Sequence, residues 1–131
     1  MSSADFCFTP ATELARLIRA RQISPVELTR AVLERVERLN PIVNAFCTVT
    51  ADVALAAARE AEQAVVKGEV RGPLHGLPFS IKDLHLTQGV RTMSGSSIFE
   101  HRVPDVDPPV VRRLKQAGGV MLGKTTTPEF G

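Results

Sequence analysis

Tryptophan and tyrosine are both absent from these 131 residues, which leaves six phenylalanines as the whole aromatic complement and no phenol or indole to serve in a site. No apolar run approaches the ~18 residues of a membrane span. The start, Met1-Ser2-Ser3-Ala4-Asp5, shows no basic stretch followed by an apolar one. The expectation is a soluble, untargeted chain with no membrane partner. An excess of either charge sign is missing too: sixteen Lys and Arg against fourteen Asp and Glu leave a formal +2, too weak and dispersed to attract a nucleic acid or an acidic surface. Only two cysteines occur, Cys7 and Cys47, with neither CxxC nor metal-ligand spacing. They read as reduced, partly buried thiols in a cytoplasmic protein. Internal repeats and low-complexity tracts are absent as well.

What is present is an ordinary globular composition, 44% hydrophobic and 23% charged, in a length that suits one domain. Thr9-Pro10 is a cap followed by a first-turn proline. Ala11, Leu14, Ala15, Leu17 and Ile18 then recur at helical spacing to about Ala20. Ser24-Pro25-Val26-Glu27 is a capping box, and the helix it opens carries Leu28, Ala31, Val32, Val36 and Leu39 until Asn40-Pro41 stops it. Ile42 to Thr50 is short and β-branched, and reads as an extended connector with Asn44 at a turn. Ala51 to Lys67 is an alanine-rich helix ended by Gly68.

Beyond Gly68 the texture turns to strands and punctuation. Gly72-Pro73 and Gly76 mark turns before an apolar strand from Leu77 to Ile81, and Leu84 to Val106 reads as an irregular loop of the kind that lines sites. Asp107 is placed to cap a helix opened by Pro108-Pro109, with Val110, Val111, Leu114 and Ala117 as its buried stripe and Gly118 as its stop. Val120-Met121-Leu122 is a buried strand. Strand, loop, helix and strand in this order predict two parallel neighbours joined by a right-handed crossover. Two strands do not make a doubly covered sheet, so further strands must come from elsewhere.

Leu77, Phe79 and Ile81 alternate with Pro78, Ser80 and Lys82, which puts Lys82 at the carboxyl end of a half-apolar strand. Ligands of open α/β sheets gather at that end. A lysine, with an ordinary pKa of ~10.4, accepts a proton at neutral pH only when burial disfavours its charged form. Such an amine can deprotonate a hydroxyl. Read in isolation, Lys82 is a snorkelling strand-end side chain. His75, His85 and His101 are scattered over loops with no metal-binding pair, and read as surface or loop hydrogen-bonders. Gly118 to Thr125 formally satisfies G-x-x-x-x-G-K-[ST], but it follows a helix and its interior is strand-like. A phosphate cradle needs a compact glycine-rich turn opening a helix, so nucleotide binding is disfavoured.

The segments Gly72-Pro73-Leu74-His75-Gly76, Lys82-Asp83, Met93-Ser94-Gly95-Ser96 and Gly118-Gly119-Val120-Met121-Leu122-Gly123-Lys124-Thr125, with Pro128-Glu129-Phe130, together resemble the amidase signature family. Ile23-Ser24-Pro25-Val26-Glu27-Leu28 and Leu39-Asn40-Pro41-Ile42-Val43-Asn44-Ala45-Phe46 extend the resemblance to the N-terminal helices. It implies a larger α/β sandwich, of which this chain holds an N-terminal helical layer, about 9–68, and the first β-α-β unit, about 72–131, an incomplete part of one amidase domain. It also implies a serine hydrolase acting on amide bonds by a Ser-cisSer-Lys mechanism, with Lys82 matching the lysine. That lysine deprotonates the cis-serine, which activates the nucleophile.

In the family both serines lie downstream, the nucleophile in a GGSSGG-type segment. None occurs within residues 1–131, so the chain by itself is expected to be inactive. Ser94, Ser96 and Ser97 precede those serines and read as loop hydrogen-bonders. No cofactor and no metal are implied. The implied partners are a small-molecule amide in the complete enzyme, and a second copy or the missing C-terminal part. The reaction is either hydrolysis or, in relatives that serve transamidation, the release of ammonia to a partner. The different-class alternative is a non-catalytic remnant or assembly module.

Overall fold

The computed structural model describes residues 3–131; Met1 and Ser2, within the start read as leaderless, lie outside the described residues. Helices come first. A short α1 (Ser3–Phe6) leads into α2 (Ala11–Arg19), whose Leu14, Ala15, Leu17 and Ile18 are buried at the expected spacing while Ala11 is exposed. Thr9 does not cap α2. Its hydroxyl donates back to the Asp5 carbonyl at 2.8 Å, and the cap position falls to Pro10, whose carbonyl accepts from Glu13 and Leu14. The helix closes with Arg21 at φ 57°, the Arg21 N–H bonded to the Ile18 carbonyl and the Gln22 N–H to the Leu17 carbonyl. These are the two bonds of a Schellman stop.

The capping box forms as its sequence demands: Ser24 Oγ accepts from the Val26 and Glu27 amides, and Glu27 reaches back to the Ser24 N–H. Helix α3 (Pro25–Val43) then runs through Pro41 instead of stopping before it. Proline forfeits only the bond to the residue four before it, and that residue, Glu37, sits on the exposed face near the helix end. Asn44, at φ 49°, makes the true stop. The Asn40 side chain sets the exit by bonding both the N–H and the carbonyl of Phe46.

The connector contains a strand, β1 (Phe46–Val49). Helix α4 (Ala51–Lys67) ends on Gly68 as expected. Strand β2 (Pro78–Lys82), a 3-10 turn at Ser97–Phe99, helix α5 (Pro109–Gln116) and strand β3 (Val120–Thr125) complete the chain. The sheet order is β1-β3-β2: β2 and β3 are parallel, as the strand-helix-strand order predicts, and β1 is antiparallel to β3. The third strand thus comes from the chain's own connector. Gly123, at φ 148°, makes this pairing possible, because a Cβ there would stand 2.1 Å from the Thr48 carbonyl oxygen.

Alternation along β3 divides the core. Val120 and Leu122 pack with Val26, Ala54 and Ala58 of α3 and α4, while Met121 faces the other way onto Ile81, Val90 and Val111. A third cluster joins Phe6, Leu14, Leu17, Ile18, Ile23 and Leu28 with Leu77. Leu77 precedes β2, so it does not share the face of Phe79 and Ile81. Two expectations for α5 fail: Val110 is exposed, and Asp107 does not cap. Asp107 instead accepts from the Gln88 N–H at 2.8 Å and from Lys115 Nζ at 2.7 Å, tying the long loop to the helix.

Candidate functional site

Lys82 ends β2 with its side chain exposed. The residue after it is the opposite. Asp83 is 2% exposed, and all its polar groups look inward. Its N–H donates to the Thr125 carbonyl at 2.8 Å, its carbonyl accepts from the Ser94 N–H at 3.0 Å, and Oδ2 accepts from the Met93 N–H at 2.9 Å. Asp83 therefore orients the turn behind Lys82.

Facing Asp83 Oδ1 at 3.5 Å is Nζ of Lys124, a side chain with no solvent exposure. Nζ also donates to the His85 carbonyl at 2.6 Å and to Thr92 Oγ1 at 2.9 Å. Burial pushes the Lys124 pKa down from its ordinary 10.5, and the Asp83 carboxylate offsets part of that shift. Cys47 borders the same pair. It is exposed as a residue, not partly buried, yet its Sγ donates to the Lys124 carbonyl at 3.5 Å. Desolvation first, and then the Asp83 charge, push its thiol pKa up from 9.0.

The loop after Lys82 is clasped along its length. Arg102 donates from Nε to the Thr92 carbonyl and from Nη2 to Ser94 Oγ, and its guanidinium lies 4.0 Å from the Phe99 ring centroid. Ser96 Oγ donates to Glu129, and the Phe130 N–H to the Ser94 carbonyl. Gly95, at φ 72°, comes so close to the last residues that a Cβ would meet the Pro128 carbonyl at 2.7 Å. Ser94 and Ser96 are thus buried loop hydrogen-bonders, and Ser97 opens the exposed 3-10 turn.

His75 departs from the surface expectation: it is 3% exposed, with Nε2 2.9 Å from the Ala61 carbonyl and Nδ1 accepting from the Arg71 N–H. His85 and His101 are exposed. Among the described residues no group of three or more His, Cys, Asp or Glu is placed to hold a metal ion. Gly118 to Thr125 runs from the turn after α5 into β3, with Lys124 sealed inside, so neither a cradle nor a lysine is offered to a phosphate.

Lys124 is the residue that sequence reasoning missed, having met it only inside the phosphate-loop pattern and as one residue of the family resemblance over residues 118–125, with no role assigned. The usable signal was a lysine within an apolar strand, opposite a strand that ends in Lys82-Asp83. Parallel pairing places Ile81 beside Lys124 and Lys82 beside Thr125.

Comparisons with known proteins extend over nearly all of this framework. The family described as Amidase matches residues 27–131. A glutamyl-tRNA(Gln) amidotransferase subunit from Carboxydothermus hydrogenoformans is 42% identical over 123 residues, which are 94% of this chain and 25% of that protein. The corresponding subunit of Methylococcus capsulatus is 48% identical over 118 residues, 90% of this chain and 24% of that one. The peptide amidase of Stenotrophomonas maltophilia superposes with a TM-score of 0.87 at 35% identity, covering 93% of this chain and 25% of its own. The chain spans about a quarter of the length of the relatives it matches. Among the described residues, no helix is long and apolar enough to cross a membrane.

Proposed function

The chain belongs to the amidase family, and from that premise we propose that residues 1–131 are the N-terminal part of one amidase domain in which Lys82 is the base of amide-bond cleavage. The observation that carries this reading is the match over residues 27–131 combined with the place of Lys82 at the carboxyl end of β2, where α/β sheets present ligands. In the proposed reaction the Lys82 amine takes the proton of one serine hydroxyl. That serine takes the proton of the nucleophilic serine, which attacks the amide carbonyl. The proton returns along the same relay to the leaving nitrogen, the amine departs, and water or another acceptor then releases the acyl group from the serine. Both serines lie outside residues 1–131.

A lysine accepts a proton near neutral pH where its surroundings disfavour its charge, as burial does. Lys82 is exposed here, so the reading requires the serine-bearing part to cover it. The substrate is a small amide. The amidotransferase relatives favour ammonia release within an assembly of subunits, and the peptide amidase favours simple hydrolysis.

Fragment complementation tests this reading. The chain alone is expected to hydrolyse no amide, and mixing it with the remaining three quarters of an amidase relative is expected to restore hydrolysis that Lys82→Ala abolishes. Complementation that survives Lys82→Ala rules out Lys82 as the base. Amide hydrolysis by the 131 residues alone overturns the assignment of the serines to another segment. No complementation by the wild-type chain favours the non-catalytic assembly module.

A further inference from the structure

We propose that Lys124 is a positioning residue for Lys82, acting through Asp83 and the loop that follows it. The proposal rests on Lys82 being the base. Lys124 has no solvent exposure, so it touches no substrate. Its ammonium donates to the His85 carbonyl and to Thr92 Oγ1 and forms an ion pair at 3.5 Å with Asp83 Oδ1, which accepts no hydrogen bond, and all three partners are on the stretch that directly follows Lys82. Lys124 itself is on the neighbouring strand, β3. One buried charge therefore ties the end of β2 and both limbs of its loop to the centre of the sheet.

Strand cohesion alone does not call for a lysine. Val120, Met121 and Leu122 fill β3 with apolar side chains, and a buried ion pair is no more stabilising than well-packed apolar residues of the same volume. What the ammonium adds is direction, because it fixes where three specific oxygens stand. Asp83 passes this on: its main-chain N–H holds the Thr125 carbonyl while its carboxylate holds the Met93 N–H. Lys82 is the residue bonded to that anchored amide, and its own carbonyl accepts from the His85 N–H at 3.0 Å. Lys82 is thus free at its tip and fixed at its base.

The test uses the isotope-labelled 131-residue chain with Lys124→Met, Asp83→Asn, the double variant, and the milder Thr92→Val. Amide exchange is read at Met93 and Ser94, and backbone order is read at Lys82 and along α3. Lys124→Met is expected to speed exchange at Met93 and Ser94 by about tenfold or more and to lower the Lys82 order parameter, with backbone order along α3 unchanged. Asp83→Asn is expected to do the same and the double variant no more than either, since one acts through the other. Thr92→Val, which keeps shape and removes one oxygen, gives a smaller change in the same direction and decides the matter if Lys124→Met does not fold.

An unchanged Lys82 order parameter, additive effects, or an equal loss of backbone order along α3 overturns the proposal. None of these readouts needs turnover. Lys82→Ala should leave the exchange rates in place, so failure here is distinct from failure of Lys82 as the base, which complementation reads.

Discussion

Lys124 Nζ and Asp83 Oδ1 stand 3.5 Å apart, on side chains no more than 3% exposed, directly behind a lysine that faces solvent. Breaking such a pair from one side strands the other charge. Lys124→Met should therefore destabilise the chain by about 3–5 kcal/mol, far more than the loss of one surface ion pair. Combining it with Asp83→Asn should cost less than the sum of the two single changes, because neither side then retains an unmatched charge. Urea titration of the four chains checks both statements, and a Lys124→Met penalty under about 1 kcal/mol would contradict the picture of a desolvated pair.

The same pair has an alkaline signature. Burial holds the Lys124 pKa below its ordinary 10.5, so between the folded and unfolded values the unfolded chain binds more protons. Stability from this group therefore rises with pH through that window and levels off above about 10.5. Wild type should gain on Lys124→Met as pH is raised toward 10.5, in paired thermal melts at low and high salt. A gap that narrows over this range has the wrong sign for a lysine with a lowered pKa.

How much of this was legible beforehand depended on whether a signal was local. Ser24 and Glu27 are three residues apart and make their capping box from adjacent backbone, so the start of α3 could be read directly. The parallel pairing of β2 with β3 followed from element order. Strand β1 was read only as a connector, because four residues carry too little periodicity and the pairing partner of Thr48, Lys124, is far along the chain. Pro41 misled for a different reason: a helix breaker near a helix end removes one bond that water replaces. The placement of Lys82 at a strand end was visible in the alternation of its neighbours. Lys124 was not, since its meaning lies in Asp83, His85 and Thr92, which only the fold brings to it.

Gly123 gives a backbone test of the β1 pairing. Its φ of 148°, and the Thr48 oxygen only 2.1 Å from where a Cβ would stand, leave no room for alanine. Gly123→Ala should push β1 away from β3, weakening the Val49–Gly123 and Thr48–Lys124 register while leaving β2 paired. A loss of about 2 kcal/mol or more is expected, confined in amide exchange to β1 and the start of α4. Equal losses at β2 would mean that the sheet fails as one unit and β1 is not a separable addition.

Asp107 offers a pH dependence of the same sign at the acid end of the scale, and at the far end of the loop. Desolvation raises its pKa, but the hydrogen bond from Lys115, the Gln88 N–H and the Lys115 charge outweigh that and leave it below its ordinary 3.8. A lowered carboxylate pKa contributes stability that is complete above 3.8 and disappears as pH falls through the folded value. Asp107→Asn should thus cost stability at neutral pH, by only about 1 kcal/mol because Lys115 is 36% exposed and water screens the pair. The gap from wild type should shrink as pH drops below 3.8, and the Gln88 amide should exchange faster in the variant at neutral pH. If Gln88 is unaffected while the gap persists in acid, the tie between loop and α5 does not run through this carboxylate.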